Sequence, residues 1–184
     1  MAKSAIVDEK MVFSATDFER AMNLSRIEYI TVTKIPDIES GCLCVGDVVV
    51  NAGQNISREN LDLLNYRAAA RDKKESFFEF KVNGGEYVMR CNLYFLTRNN
   101  SAPTLDLEDE KIFSVSTHQS VRVYGKVSAY DADSDSLRYE VVNYPKNGVL
   151  DFDFESGEYS YLPTGSYFGV DSFEYVAVDK YGNY

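Results

Sequence analysis

Three aspartates alternate with small residues in the second half of the chain: Asp131, Asp133 and Asp135. Ca²⁺ takes about six to eight oxygen ligands, and carboxylates at every second position of a bent loop can point at one ion. This spacing is therefore typical of a calcium loop. Aspartates also solvate turns and accept hydrogen bonds from the turn backbone, and this is their commoner role. A purely structural turn is the alternative interpretation.

Catalytic chemistry has few candidate residues. A nucleophilic triad needs a general base, and the single histidine, His118, lies in a polar segment typical of an exposed turn or strand end. One histidine and three cysteines without metal-ligand spacing predict no zinc site. Carboxylates are numerous, and no pair of them is singled out as an acid and base. The sequence predicts that the protein is not an enzyme, with an unrecognised hydrolase as the weakest alternative.

The net charge of −10 limits the partners. An acidic surface repels phosphate backbones and anionic lipid headgroups, which predicts no nucleic-acid partner. The chain has no apolar run of about eighteen residues, so direct membrane insertion is not expected. Its first residues lack the apolar core of a signal peptide, so an export signal is expected outside this segment.

The three cysteines, Cys42, Cys44 and Cys91, are too few for a disulfide framework. Cys42 and Cys44 stand two positions apart in an apolar stretch and would share one face of a strand as small buried side chains. A bridge from either of them to Cys91 stays open as an alternative.

Strand patterns dominate the chain. Its 14 tyrosines and 11 phenylalanines, with no tryptophan, favour pleated and half-buried surfaces. Apolar and polar residues alternate with period two in runs 138–142, 150–154, 159–162 and 173–178, and Gly157 indicates a hairpin turn. Ser57 is a candidate N-cap for one or two helical turns, the only helix that the sequence indicates. Many short strands predict β-sandwiches.

A polar stretch at 97–103 separates strand-like runs at 88–96 and 112–115 and indicates a linker. On both sides the same signals recur in the same order, as an internal duplication leaves them. An insertion from Val48 to Ser57 interrupts the first half. The corresponding pairs are Phe13-Ser14 and Phe113-Ser114, Pro36 and Pro145, Gly41 and Gly148, Tyr66 and Tyr161, and the aromatic runs 77–80 and 173–175.

The stretch from Asp131 to Asp133 resembles the Asp-Ala-Asp sequence that follows the second strand of cadherin repeats. Segments 144–150, 159–163 and 167–179 resemble the cadherin-like repeats of large bacterial surface proteins, and this resemblance covers residues 103–184. Residues 13–96 resemble, more loosely, the repeats of chondroitin sulfate proteoglycan core proteins. The resemblance implies an all-β fold of two tandem Ig/cadherin-like Greek-key β-sandwiches, at 1–98 and 103–184. Family members have one more strand after the turn at 179–182, so the second repeat is expected to lack its last strand and to expose a sheet edge.

In cadherins the calcium ion lies between modules. By resemblance, Asp131 and Asp133 with Asn100 of the linker are the expected ligands, and Asp179 is a more remote fourth. The linker offers no aspartate, and the first half has no Asp-Arg-Glu motif, so the ligand set is incomplete.

The resemblance implies a non-catalytic structural or adhesive repeat pair from a larger exported or cell-surface protein. It would act as a spacer or cell-adhesion surface, with calcium stiffening the linker if calcium is bound. The expected partners are a protein or glycan at a cell surface and neighbouring repeats of the same parent chain, and the expected location is extracellular or at the cell surface. The basic stretch 67–74 is interpreted as a solvated loop.

The alternative function is a carbohydrate-binding accessory module of a secreted enzyme, because exposed tyrosines can form a sugar-stacking platform. Tyrosines at strand spacing more commonly pack in a core. The candidates are Tyr144, Tyr159, Tyr161, Tyr167 and Tyr175.

Overall fold

The computed structural model describes residues 1–69, 74–105 and 114–184, and the chain forms two compact units, Met1–Asn100 and Ser101–Tyr184. No helix among these described residues is long and apolar enough to cross a membrane. The elements of the first unit, numbered in chain order, are β1 (Ala2–Ile6), β2 (Met11–Val12), α1 (Ala15–Ala21), β3 (Tyr29–Lys34), β4 (Gly41–Val45), β5 (Val48–Val49), β6 (Asn55–Ser57), α2 (Arg58–Leu61), β7 (Leu64–Ala68), β8 (Glu75–Val82) and β9 (Met89–Leu96).

The first unit has two sheets with a core between them. One sheet has the strand order β1-β9-β8-β3-β6, and the other has the order β2-β7-β4-β5. β1 runs parallel to β9, and the other paired strands are antiparallel. Phe78 and Phe80 alternate on β8, so both side chains enter the core. The Phe13 ring meets Phe78 edge-on with 5.8 Å between centroids, and the Phe18 ring meets Phe80 at 5.2 Å.

Helix α1 was not predicted, and this is a correction. Ser14 is its N-cap: Asp17 N–H donates to Ser14 Oγ at 3.3 Å, and Ser14 N–H donates to Asp17 Oδ2 at 2.8 Å. Ser14 also belongs to the recurring Phe-Ser signal, and its capping box is harder to recognise because it uses Asp in place of Glu. The predicted helix is confirmed as α2, which follows Ser57, although the Ser57 side chain makes no capping hydrogen bond.

The second unit contains β10 (Thr104–Leu105), β11 (Val123–Lys126), β12 (Ala129–Tyr130), β13 (Leu137–Asn143), β14 (Gly148–Phe152), β15 (Glu158–Pro163) and β16 (Glu174–Asp179). Part of the strand pairing of the first unit recurs here. The groups β2-β7-β4 and β3-β8 of the first unit correspond to β11-β15-β14 and β13-β16 of the second. Strands in several sheets are the main elements of the described residues, which confirms the all-β, Ig-like fold.

The duplicated signals fall on equivalent elements in several cases. β4 begins at Gly41 and β14 begins at Gly148, and the predicted hairpin between β14 and β15 turns at Gly157 with φ of +73°. Among the described residues, β8 pairs with β3 and β9, whereas β16 pairs with β13 alone. Within the described part of the second unit, no strand therefore takes the place that β9 has in the first.

Two predicted features fall partly outside the described residues. Phe113 and Ile112 of the predicted strand at 112–115 lie outside them, and Ser114 and Val115 belong to no regular element. Residues 70–73 of the basic stretch also lie outside them.

The three cysteines are free thiols, so the alternative bridge to Cys91 is not formed. Cys91 lies in the core of the first unit, as part of β9. Cys42 and Cys44 flank the core residue Leu43 on β4, and strand alternation directs them to the other face, with their Sγ atoms 3.6 Å apart.

Candidate metal centre

Strand pairing in the second unit brings the aspartate loop to Asp179. β12 ends at Tyr130 and β13 begins at Leu137, so residues 131–136 form the loop between them. β13 and β16 are antiparallel, and Leu137 at the start of β13 lies opposite Asp179 at the end of β16. The loop and the last residue of β16 therefore lie at the same end of the two-stranded sheet.

Three carboxylates converge there, from Asp131, Asp135 and Asp179. Each offers an oxygen atom, and the three oxygens lie within 4.8 Å of one another. Asp131 is 5% exposed and Asp179 is 2% exposed. The side chain of Asp135 is 10% exposed. We call these three residues the carboxylate group.

The two oxygens of Asp131 have different surroundings. Oδ1 accepts the backbone N–H groups of Asp133 at 2.8 Å and Asp135 at 3.1 Å, which closes the turn. Oδ2 is buried and has no hydrogen-bond partner among the described residues. The hydrogen bonds of Oδ1 agree with the structural-turn interpretation. Oδ2 needs another explanation, because a buried polar atom without a partner loses its hydration and gains nothing in return.

Asp179 organises the segment that follows β16. Its Oδ1 accepts the backbone N–H groups of Tyr181 at 2.8 Å and Asn183 at 2.9 Å, and its Oδ2 accepts the side-chain amide of Asn183 at 2.9 Å. These donors hold the carboxylate in one orientation beside the loop.

Lys180 is a cation that contacts the carboxylate group directly, through Asp135. Its Nζ lies 2.8 Å from Asp135 Oδ1, and 48% of its side chain is exposed. The hydrogen bond to Asp135 is the main reason that the pKa of Lys180 lies above its ordinary value, so the ammonium keeps its charge. The Lys180 ammonium therefore offsets part of the negative charge of the three carboxylates.

The structure divides the predicted ligands. Asp131 and Asp179 come together, and Asp135, which the sequence indicated only by its spacing, joins them. Asp133 Oδ2 instead accepts the backbone N–H of Ser101 at 2.7 Å. Asn100 is the last residue of the first unit. No sequence pattern singled out Lys180 as part of the site, because a lysine directly after a strand is not unusual.

The proposed sugar platform is not a single exposed surface. Tyr159 is 6% exposed and packs against the ring of Phe173, with 5.1 Å between centroids. Tyr161 is partly buried, and its hydroxyl donates to Asp171. Tyr144 is exposed, as is His118. Tyr159 agrees with the core-packing interpretation and not with the alternative of a platform, because strand alternation directs its side chain into the core.

Comparison with known families gives a match over the second unit. Residues 100–184 match the family model described as a bacterial Ig domain. The match supports a bacterial Ig-like repeat in this segment, and it does not support the cadherin or proteoglycan type specifically. Bacterial Ig domains are generally non-catalytic and often belong to surface or secreted proteins. Comparison with curated proteins gave no match.

Proposed function

We propose that the chain is a non-catalytic repeat pair of an exported surface protein, a spacer or adhesive element whose second unit is stiffened by calcium. The observation that carries the calcium part is the buried carboxylate group, in which Asp131 Oδ2 has no protein partner among the described residues. The spacer part is supported by the recurrence of one strand-pairing pattern in both units.

Calcium suits this donor set. It is a hard cation that takes carboxylate and carbonyl oxygens in a flexible geometry, whereas Mg²⁺ demands a near-ideal octahedron. Carboxylates buried close together are costly when they are not compensated, because each opposes the ionisation of its neighbours. A divalent cation bound by Asp131, Asp135 and Asp179 would relieve this repulsion. Asp133 and Asn100 remain ligands implied by the cadherin resemblance.

A calcium titration of the full chain tests the proposal. After treatment with EDTA, Ca²⁺ should bind in isothermal titration calorimetry and should slow amide hydrogen exchange in β13 and β16. An ion that binds only the folded state stabilises it by about 2.7 kcal/mol at one hundred times its Kd. Mg²⁺ at the same concentration should have a smaller effect.

Matched variants locate the ion. Asp131→Asn keeps an Oδ1 acceptor for the two backbone N–H groups of the turn, and it removes the negative charge. Asp151→Asn on β14 removes the same charge from an exposed position and serves as the control. Asp131→Asn should abolish the calcium effect, and Asp151→Asn should retain it. No response to Ca²⁺ up to about 10 mM, or an equal response in both variants, contradicts the proposal.

A glycan array separates this function from carbohydrate binding. Tyr144 is 52% exposed, so it can stack on a sugar, unlike Tyr159. A spacer unit should show no reproducible glycan binding that depends on Tyr144. Binding that is lost in Tyr144→Ala would instead make the chain a carbohydrate-binding module.

A further inference from the structure

Lys180 occupies a special place beside the carboxylate group. It directly follows Asp179 at the end of β16, and its Nζ reaches back to Asp135 at 2.8 Å. The same ammonium lies 4.6 Å from the centroid of the Tyr181 ring. Two further ion pairs of the second unit join Lys126 to Glu158 and Arg138 to Glu140, and neither involves Asp131, Asp135 or Asp179.

We propose that Lys180 is an internal counter-ion that must leave Asp135 before calcium binds, and that it thereby sets the calcium affinity of the second unit. The inference rests on the proposed function, because it concerns the regulation of the same site.

Burial determines which partner of the ion pair moves. The Asp135 side chain is 10% exposed, whereas that of Lys180 is 48% exposed. The lysine can therefore rotate into solvent without disturbing the core, and the carboxylate stays in place. Asp131 Oδ2 has no hydrogen-bond partner in the described part of the chain, so the lysine does not satisfy the whole group and leaves an acceptor for another cation.

Charge repulsion prevents the Lys180 ammonium and a calcium ion from lying beside Asp135 at the same time. An ammonium within hydrogen-bonding distance of Asp135 lies close to any metal ion that shares this carboxylate, and like charges at such separations repel strongly where water is scarce. Without calcium, Lys180 offsets repulsion among the three carboxylates. Lys180 therefore stabilises the metal-free unit and weakens calcium binding, and these two effects are linked thermodynamically.

Calorimetric calcium titrations of the full chain test this inference with three variants. Lys180→Met removes the charge and keeps much of the apolar stem, and it should lower the Kd for Ca²⁺ roughly two- to fivefold, the range expected for a partly exposed ion pair. Lys180→Arg keeps the charge and should bind calcium as the wild type does. Lys126→Met removes an exposed lysine 3.8 Å from Glu158 and changes the net charge equally, so it should leave the Kd unchanged.

The metal-free state provides an independent readout. In EDTA, Lys180→Met should accelerate hydrogen exchange in β13 and β16, whereas saturating Ca²⁺ should restore the protection. A structural role for the lysine stem alone would not give opposite effects on stability and calcium affinity.

The outcomes separate the two proposals. If the wild type binds calcium and Lys180→Met binds no more tightly than Lys126→Met, the counter-ion inference is overturned and the calcium site stands. Tighter binding by Lys180→Arg to the same extent as Lys180→Met also overturns it, since charge would not be the cause. If neither the wild type nor Lys180→Met binds calcium, the proposed site itself is wrong. Binding by Lys180→Met alone supports the inference.

Discussion

The Tyr161 hydroxyl donates a hydrogen bond to Asp171 Oδ2 at 2.8 Å, and this joins β15 to the segment between β15 and β16, which in turn contacts the turn between β13 and β14. The Asp171 carboxylate completes the connection by accepting the backbone N–H groups of Lys146 at 3.0 Å and Asn147 at 2.7 Å. Burial raises the pKa of Tyr161 to about 12, so its hydroxyl keeps its proton and remains a donor at neutral pH. Burial acts to raise the pKa of Asp171 as well, but these donors outweigh it and hold that pKa below its ordinary value.

The Asp171 anchor predicts a loss of stability in acid. A carboxyl whose pKa is lower in the folded state contributes stability above its unfolded pKa, and the contribution disappears as the pH falls from about 4 through the folded value. Asp171→Asn should lower the free energy of unfolding of the second unit by about 1–2 kcal/mol at pH 7, since it removes the charge of a carboxylate that accepts four hydrogen bonds, the fourth from the backbone N–H of Ser172.

Urea unfolding of the full chain between pH 7 and pH 2 provides the measurement, with hydrogen exchange in β14 and β15 reporting the second unit. Asp171→Asn should show a flatter acid dependence than the wild type, whereas the exposed-site variant Asp151→Asn should show the wild-type curve. Parallel curves for wild type and Asp171→Asn would refute the role of this carboxylate.

At Gly148, replacement by alanine should change the stability of the second unit in the direction opposite to the usual one for a strand. A Cβ at this position would fall well inside van der Waals contact with the Tyr161 ring. Glycine ordinarily weakens a strand, so alanine would normally stabilise it. Here Gly148→Ala should destabilise the second unit by about 1–3 kcal/mol, because the ring has to move out of its packed position. The urea midpoint is the measurement, and Val149→Thr at the exposed neighbouring position should change it little.

Strand positions follow directly from the sequence because alternation is a local property. Runs such as 138–142 and 159–162 alternate apolar and polar residues. The first run lies within β13 and the second within β15. Helix α1 was missed because its signal is a single Ser14–Asp17 pair in a short segment, which competed with the repeated Phe-Ser pattern. Tertiary packing of Phe18 stabilises this helix, and such packing is not visible in local sequence.

The carboxylate group was partly predictable. Spacing alone placed Asp131 and Asp135 in one loop, but the role of Asp179 depended on β13 and β16 being neighbours with Leu137 opposite Asp179. The division of roles between Asp133 and Asp135 depends on the conformation of Ser134, whose φ is +63°. A sequence pattern does not specify such a single backbone angle when the residue is serine. Predicting the contact between Lys180 and Asp135 required both the strand pairing and the loop conformation, since the two residues are 45 positions apart in the sequence.

The reactivity of the cysteines should differ by position. Burial raises the pKa of Cys91 to about 12, and this side chain is 0% exposed, so both thiolate population and access are minimal. Burial also raises the pKa of Cys44, which is 2% exposed, whereas Cys42 is half-buried. Iodoacetamide at pH 8 should therefore modify Cys42 first and Cys91 only after unfolding.

Peptide mass spectrometry of a labelling time course measures this order. In denaturant, all three cysteines should react at similar rates, which controls for local sequence effects. Rapid labelling of Cys91 in the folded chain would contradict its place in the core.

Ser134 holds a left-handed backbone conformation, and relieving it should stabilise the second unit. A non-glycine residue in this region costs about 1–2 kcal/mol. Ser134→Gly removes that cost and adds flexibility to the unfolded chain, so we expect a net gain of about 0.5–1 kcal/mol.

Ser116→Gly is the matched control, because Ser116 is not among the described non-glycine residues with positive φ, so its replacement should be neutral or slightly destabilising. Denaturant unfolding compares the two variants, and equal losses in both would mean that the strain at Ser134 is not stored in the folded loop. Because Asp131 still accepts the backbone N–H groups of residues 133 and 135 in Ser134→Gly, the calcium titration should be unchanged, which separates backbone strain from ligand charge.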